Sequence, residues 1–183
     1  MKQQAVILLV VLAPIICCRQ PQSTANLQTA STGNLQNSVT PLVFDGRAGG
    51  CAFFFVYKDT QDKTKVITVY GSEKELRITT GPKTFEIGKT PSLKVQLDDY
   101  GQAQHGEYCS DVVGNGEPIP QHIEATSGRV TVFITQKAGK EVPSAAYRIT
   151  VKLKNVNFLI ANGGSFYVES VEMSNVLVGW ICC

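Results

Sequence analysis

The densest group of side chains able to do chemistry lies in residues 98–111, where four carboxylates and one histidine fall within fourteen residues. The carboxylates belong to Asp98, Asp99, Glu107 and Asp111, and the histidine is His105. Ca²⁺ takes six to eight oxygen ligands, which acidic loops at the edge of a β-sheet can supply. One interpretation of this stretch is therefore a Ca²⁺ site formed by the four carboxylates.

Two other interpretations of the same stretch stay open. The spacing of the carboxylates does not follow the EF-hand pattern of Ca²⁺ loops, and the chain has no His-x-x-x-His pair of the kind that binds zinc, so a metal site is not the only interpretation. The stretch also fits a solvated loop whose aspartates close turns. The third interpretation is a secreted hydrolase, in which carboxylates across a cleft act as acid and base. Apart from Ca²⁺, no cofactor is indicated.

Four cysteines lie beyond the N-terminal segment, and they allow three pairings. They are Cys51, Cys109, Cys182 and Cys183. A Cys51–Cys109 disulfide would tie the acidic stretch to the strand that follows Cys51. Bridges from Cys182 or Cys183 remain open, and a free catalytic thiol at Cys109 beside His105 lacks any third group to orient it.

Aromatic and histidine side chains elsewhere are expected to be structural. His122 suits a surface or a strand edge, and Trp180 suits the core, with sugar stacking as the alternative. Three consecutive phenylalanines occupy positions 53–55. They cannot all face one side of a strand, so either both faces of the sheet are covered there or one ring is exposed.

The elements that position these residues are predicted to be strands. Apolar residues alternate with polar ones in residues 93–97 and 129–135, and most clearly in 147–154, where the outward side chains are cationic. Ser72 to Glu75 forms a capping box, which indicates a single helical turn. Eight or nine short strands without intervening helices predict an antiparallel β-sandwich over residues 41–183, with a β-barrel as the alternative.

The N-terminus has the features of a targeting segment. Lys2 precedes an apolar run from Ala5 to Ile16, which is too short to span a bilayer as a helix. Ile15-Ile16-Cys17-Cys18 at its end resembles the signal segments of bacterial lipoproteins. The resemblance implies a signal peptide over residues 1–17, lipid on Cys18 or else on Cys17, and attachment to a membrane through acyl chains.

Residues 18–40 follow as a polar segment in which Arg19 is the charged residue. Such a composition cannot bury enough apolar area to offset its ordering entropy, so we expect a flexible tether. The implied location is the cell envelope or the extracellular side of a bacterial membrane.

Charge and motifs narrow the range of functions. Lys and Arg number 17 against 15 Asp and Glu, a formal charge of +2 that argues against a nucleic-acid partner. The chain contains no P-loop, dinucleotide fingerprint, Gly-x-Ser-x-Gly or His-Glu-x-x-His motif. We therefore expect a tethered or secreted β-sandwich that presents a surface to a protein or glycan partner. The carboxylate-dependent hydrolase is the alternative.

Overall fold

Strands form most of the regular structure in the computed structural model, which describes residues 39–52, 54–78, 80–110, 116–137, 146–161 and 163–179. All of these residues lie in one unit, Leu35–Cys183. The described strands are β1 (Val39–Pro41), β2 (Ala48–Cys51), β3 (Phe55–Asp59), β4 (Lys65–Gly71), β5 (Lys83–Glu86), β6 (Leu93–Asp99), β7 (Gln121–Lys137), β8 (Tyr147–Leu159) and β9 (Ser165–Val178).

These strands form one curled sheet in the order β1-β9-β8-β7-β6-β4-β3-β2, with β5 paired to β7 beside that path. Every described pairing is antiparallel except that of β1 with β9, which is parallel. The prediction of an all-β fold with eight or nine strands is confirmed, and the parallel pair makes the sheet mixed. Its first strand begins two residues before the predicted domain start at residue 41.

Strand β7 connects the two halves of the curled sheet. One half contains β2, β3, β4 and β6, and the other contains β1, β5, β8 and β9. The first residues of β7, Gln121–Glu124, pair with β6, whereas Arg129–Val132 pair with β5 on the same side. Between these stretches Gly128 has φ +133°, and a Cβ there would lie 2.9 Å from Cα of Val156. Asn155 on β8 also has a positive φ. The two long strands therefore bend together at irregular positions, which folds the sheet back over itself.

The space between the two halves holds the hydrophobic core. Ile149, Val151 and Leu153 of β8 are fully buried there, while Arg148 and Lys152 point outward, as their alternation predicted. Burial of each such apolar side chain contributes about 1.5–3 kcal/mol. The second half of the curl supplies Ile67, Leu97 and their neighbours to the same core.

The two ends of the curl approach each other without a continuous ladder. A Cβ on Gly50 of β2 would lie 2.8 Å from Val176 on β9, and the amide of Gly179 donates to the carbonyl of Ala52 at 2.6 Å. The architecture therefore lies between the predicted sandwich and the predicted barrel. We call this junction of β2 with β9 the seam.

One short helix, α1 (Glu73–Leu76), follows β4. The amide of Glu75 donates to Oγ of Ser72 at 3.4 Å, so the predicted helical turn and its cap are confirmed. None of the helical structure in the described residues has the length and apolarity needed to cross a membrane.

Several sequence predictions fall outside the described residues. They concern the signal peptide, the lipidation candidates Cys17 and Cys18, the tether up to residue 38, and Phe53, Asp111, Trp180, Cys182 and Cys183.

Candidate functional site

The half of the curl that contains β2, β3, β4 and β6 has a second face, which points away from the core. Directly paired residues point to the same side of a sheet. The register pairs Phe55 with Tyr70, Tyr57 with Thr68, and Thr68 with Gln96. These side chains, with Asp59 and Asp98 further along, therefore share what we call the outer face. It alternates with the core-facing residues Ile67, Val69, Val95 and Leu97.

Residues 100–110 fold across this outer face, and we call them the cap. A Cys51–Cys109 disulfide, with a Cα–Cα distance of 5.8 Å, attaches the cap to β2. This disulfide confirms the predicted pairing and excludes the free thiol considered for Cys109. Disulfides of this kind persist in extracellular and periplasmic compartments.

Tyr108 is the central side chain of the cap. Its ring stacks on Tyr57 and Phe55, with centroid distances of 5.0 and 5.9 Å. Its hydroxyl donates to Oδ2 of Asp98 at 2.5 Å and lies 2.9 Å from the hydroxyl of Tyr100. Burial raises the pKa of Tyr108 far above its ordinary value, and the hydrogen bond to the Asp98 carboxylate raises it further.

Asp98 is the most heavily bonded acid of the outer face and is only 3% exposed. Its Oδ1 accepts from Nε2 of Gln96 at 2.6 Å and lies 2.7 Å from Nδ1 of His122. Together with Tyr108, three side chains therefore offset the cost of burying this carboxylate. The side chain of His122 is 59% exposed, as expected for a surface residue, and it links the buried network to solvent.

A second buried pair joins the cap to β3. Nε2 of His105 lies 3.2 Å from Oδ2 of Asp59, and both side chains are at least 95% buried. Nδ1 of His105 faces the carbonyl of Gly106, so both ring nitrogens meet oxygen acceptors. Oδ1 of Asp59 has no hydrogen-bond partner in the described structure. The pair fixes the cap to the sheet, and the His105 ring also contacts the rings of Tyr100 and Tyr108.

The other predicted cation ligands within the described residues, Asp99 and Glu107, lie in different surroundings. Oδ1 of Asp99 lies 3.1 Å from Nζ of Lys65 and accepts from the amide of Gly101. Glu107 lies at the surface, 3.2 Å from Nη1 of Arg47. Within the described ranges, no three His, Cys, Asp or Glu side chains come together as a metal site. The structure therefore brings Asp98 into a tyrosine and histidine network and leaves Asp99 and Glu107 in separate ion pairs.

Two cavities flank the cap. The first, which we call the aromatic groove, has a volume of about 480 Å³. Phe55 and Tyr70 line it on β3 and β4, and Thr68, Gln96 and Asp98 supply its polar groups. Nearby on the same face, Glu124 and His122 extend a row of exposed hydrogen-bonding groups.

The second cavity lies at the seam and has a volume of about 370 Å³; we call it the seam groove. Arg47, Gly49 and Tyr57 line it from one side, and Arg148 and Asn175 from the other. Asn175 has φ +57° in a bulge of β9, and its carbonyl accepts from Nη1 of Arg148 at 2.9 Å. Burial raises the pKa of Tyr57, while the neighbouring Arg47 guanidinium opposes that rise.

Sequence reasoning missed Tyr57, Asp59 and Arg47. The available signal was the alternation of Phe55, Tyr57 and Asp59, which puts aromatic and acidic side chains on one face while Val56 enters the core. Of the three consecutive phenylalanines, Phe54 lies in the core and the half-buried Phe55 stacks on Tyr108, while Phe53 lies outside the described residues.

Comparison of the chain with protein-family models, with curated proteins and with solved structures finds no match.

Proposed function

We propose that this chain is a membrane-tethered or secreted binding module that recognises a glycan in the aromatic groove. The observation that carries the proposal is the pairing of Phe55 and Tyr70 with amide and carboxylate groups in one open cavity. The two rings lie 6.4 Å apart and are inclined by 32°, so they form a continuous apolar strip.

The chemistry of a sugar matches this lining. A pyranose has apolar C–H faces that stack on aromatic rings and hydroxyls that need fixed hydrogen-bonding partners. Gln96 supplies such a group and is held between Asp98 and the hydroxyl of Tyr70, while the buried Thr68 donates to the carbonyl of Gln96 and fixes the strand beneath it. The groups that would recognise hydroxyls are thus oriented before any ligand arrives, which lowers the entropic cost of binding.

The hydrolase alternative receives less support from the same residues. Asp98 already bonds to Tyr108, Gln96 and His122, and Glu107 lies at the surface beside Arg47. Glycoside hydrolysis requires two carboxylates that face each other across the scissile bond.

Binding of the purified full-length chain to a panel of immobilised polysaccharides tests the proposal, with affinities then measured by calorimetry. Tyr70→Ala should weaken binding at least tenfold, because it removes half of the aromatic strip. Tyr70→Phe should keep most of the affinity, which separates ring stacking from loss of the hydroxyl. Tyr167→Ala is the matched control, because Tyr167 lies on β9 and donates to Asn155 outside the groove.

Two results would contradict the proposal: no polysaccharide bound by wild type, or equal losses in Tyr70→Ala and Tyr167→Ala. Product release from a bound polysaccharide, abolished by Asp98→Asn, Asp99→Asn and Glu107→Gln together, would favour the hydrolase instead.

The proposed tether has a separate test. Growth with a radiolabelled fatty acid should label the chain, and Cys18→Ala should remove the label while Cys17→Ala retains it. The reverse pattern would assign the lipid to Cys17, and an unlabelled wild-type chain would leave only the secreted form of the proposal.

A further inference from the structure

We propose that the seam groove binds an extended acidic peptide, which adds as a strand to the free edge of β2. This inference is independent of the glycan proposal, because it rests on a different cavity. Strand β2 ends the order of the sheet and pairs on one side with β3. No other strand in the described part of the chain pairs with its second edge.

The backbone of β2 leaves hydrogen-bonding groups on that second edge. The carbonyl of Arg47 accepts from the amide of Asp59, so it points toward β3. In an antiparallel pair the direction of the backbone groups alternates, so Gly49 and Cys51 also face β3. The amides and carbonyls of Ala48 and Gly50 therefore face away from β3, where an added strand could pair with them. Ala52 is the next residue to face this way, and its carbonyl already accepts from the amide of Gly179, so the added strand ends before Ala52.

Glycine is required at two positions of β2 because the neighbouring residues leave no room for a Cβ. A Cβ on Gly49 would lie 2.5 Å from the hydroxyl of Tyr57, and one on Gly50 would lie 2.8 Å from Val176. The chain therefore approaches its neighbours more closely here than any other residue type permits. The groove beside this edge is about 370 Å³ in volume. The four residues of β2 set the added strand at about 13 Å in length.

The charged and polar groups of the groove indicate which side chains a bound peptide should carry. Arg47 and Arg148 line it from the two sides of the seam, and guanidinium groups bind carboxylates through paired donors. Tyr57, whose side chain carries a hydroxyl donor, also lines the groove and is 6% exposed. An acidic side chain would satisfy the arginines and this hydroxyl together.

Glu107 is the residue that such a carboxylate would displace. It lies 3.2 Å from Arg47, and the two side chains are 77% and 68% exposed. An ion pair this exposed contributes little to stability, so its replacement by a bound acid costs little. Arg148 uses Nη1 for the carbonyl of Asn175, and the rest of its guanidinium remains for a ligand.

Three labelled peptides test the inference on the full-length chain by fluorescence polarisation. The first has the sequence Thr-Glu-Val-Glu-Thr, the second replaces Glu by Lys, and the third replaces the central Val by Pro. We expect the acidic peptide to bind at least tenfold more tightly than the other two. Lysine removes the charge match, and proline removes a backbone donor from the added strand.

Variants and amide spectra locate the binding. Arg148→Gln should weaken the acidic peptide at least fivefold, whereas Arg129→Gln, the same change on an exposed residue in another cavity, should leave it within twofold. The amide signals of Ala48 and Gly50 should shift and exchange more slowly when the acidic peptide is bound.

Four outcomes would overturn the inference. They are no binding of the acidic peptide at millimolar concentration, equal binding of the proline peptide, equal losses in the two arginine variants, and amides of β2 that do not respond. Equal binding of the proline peptide with preserved charge selectivity would reduce the groove to an ionic site without strand addition.

Discussion

Both faces of the sheet formed by β3, β4 and β6 bury side chains, but by different means. On the inner face, Ile67 and Leu97 are covered by the other half of the curl, through apolar packing alone. On the outer face, Tyr57 and Asp98 are covered by the eleven residues of the cap, through a hydrogen-bond network and one disulfide. The inner face is therefore stabilised by many small contributions, whereas the outer face depends on a few specific bonds.

Among the changes that test this contrast, removal of the disulfide should lower the free energy of unfolding most. The bridge spans a sequence separation of 58 residues, and closing such a loop stabilises the fold by about 4 kcal/mol in the chain-entropy account. Cys51→Ala with Cys109→Ala should lower the free energy of urea unfolding by about that amount. Hydrogen exchange should accelerate first in residues 100–110. A loss below about 1 kcal/mol would mean that the polar network holds the cap without the bridge.

Leu97→Ala tests the inner face at a position next to the central acid of the outer face. Leu97 is fully buried, so its truncation should cost about 3 kcal/mol of unfolding free energy through lost burial and a residual cavity. Exchange should accelerate throughout the core rather than in the cap. Selective opening of residues 100–110 in this variant would show that the two faces are not energetically separate.

Gly46→Ala tests how tightly the outer layer is packed near Asp59. A Cβ there would meet Oδ1 of Asp59 and would lie 2.7 Å from the carbonyl of Thr60. We expect a loss of about 2 kcal/mol in unfolding free energy, because overpacking forces the backbone to shift. Gly81→Ala is the matched control, since a Cβ at that position meets nothing within 4 Å. Equal stability of the two variants would contradict close packing at Asp59.

Tyr108→Phe should give the smallest effect, about 1.5 kcal/mol at pH 8, through loss of a hydrogen bond to a carboxylate. Because the pKa of Tyr108 is raised in the fold, the unfolded chain releases this proton near pH 10 while the folded chain keeps it. Wild-type stability should therefore fall as the pH rises above about 10. The stability of the variant should fall less steeply with pH, because up to one proton fewer is released on unfolding.

The pKa values of Tyr57 and Tyr100 are also raised, by burial first, and both residues remain in the variant. They should preserve part of the alkaline decline. If the unfolding free energy of wild type and of Tyr108→Phe changed with pH at the same slope, the Tyr108 proton would contribute nothing to the alkaline decline.

The inner face could be predicted from the sequence because its signal is local. The alternation in residues 147–154 indicated which side chains of β8 enter the core, and the structure confirms them. The Cys51–Cys109 pair was also accessible, since few cysteines restrict the choice. The outer layer could not be predicted from the sequence, because Tyr57 and Asp59 have the pattern of solvent-facing residues and only the folded structure shows that the cap covers them. That cover depends on contacts between β3 and residues far along the chain, such as that of Asp59 with His105, 46 positions later.

The choice between sandwich and barrel was open for a similar reason. It depends on how far the sheet curls, and the curl is set by Gly128 and Asn155, where two long strands bend together. Neither residue alone indicates the angle of a bend. The two arginines of the seam groove likewise lie far apart along the chain, since Arg47 directly precedes β2 and Arg148 lies on β8, so spacing in the sequence could not bring them together.

The parallel pairing of β1 with β9 has a mechanical consequence. Val39–Pro41 is the first described strand, and it is attached to the sheet by three paired positions, with the amide of Leu42 bonded to the carbonyl of Tyr167 just beyond them. A force applied to the chain before Val39 would reach the sheet through these few bonds. Strand β1 would detach first and lengthen the chain before any tension reached the core.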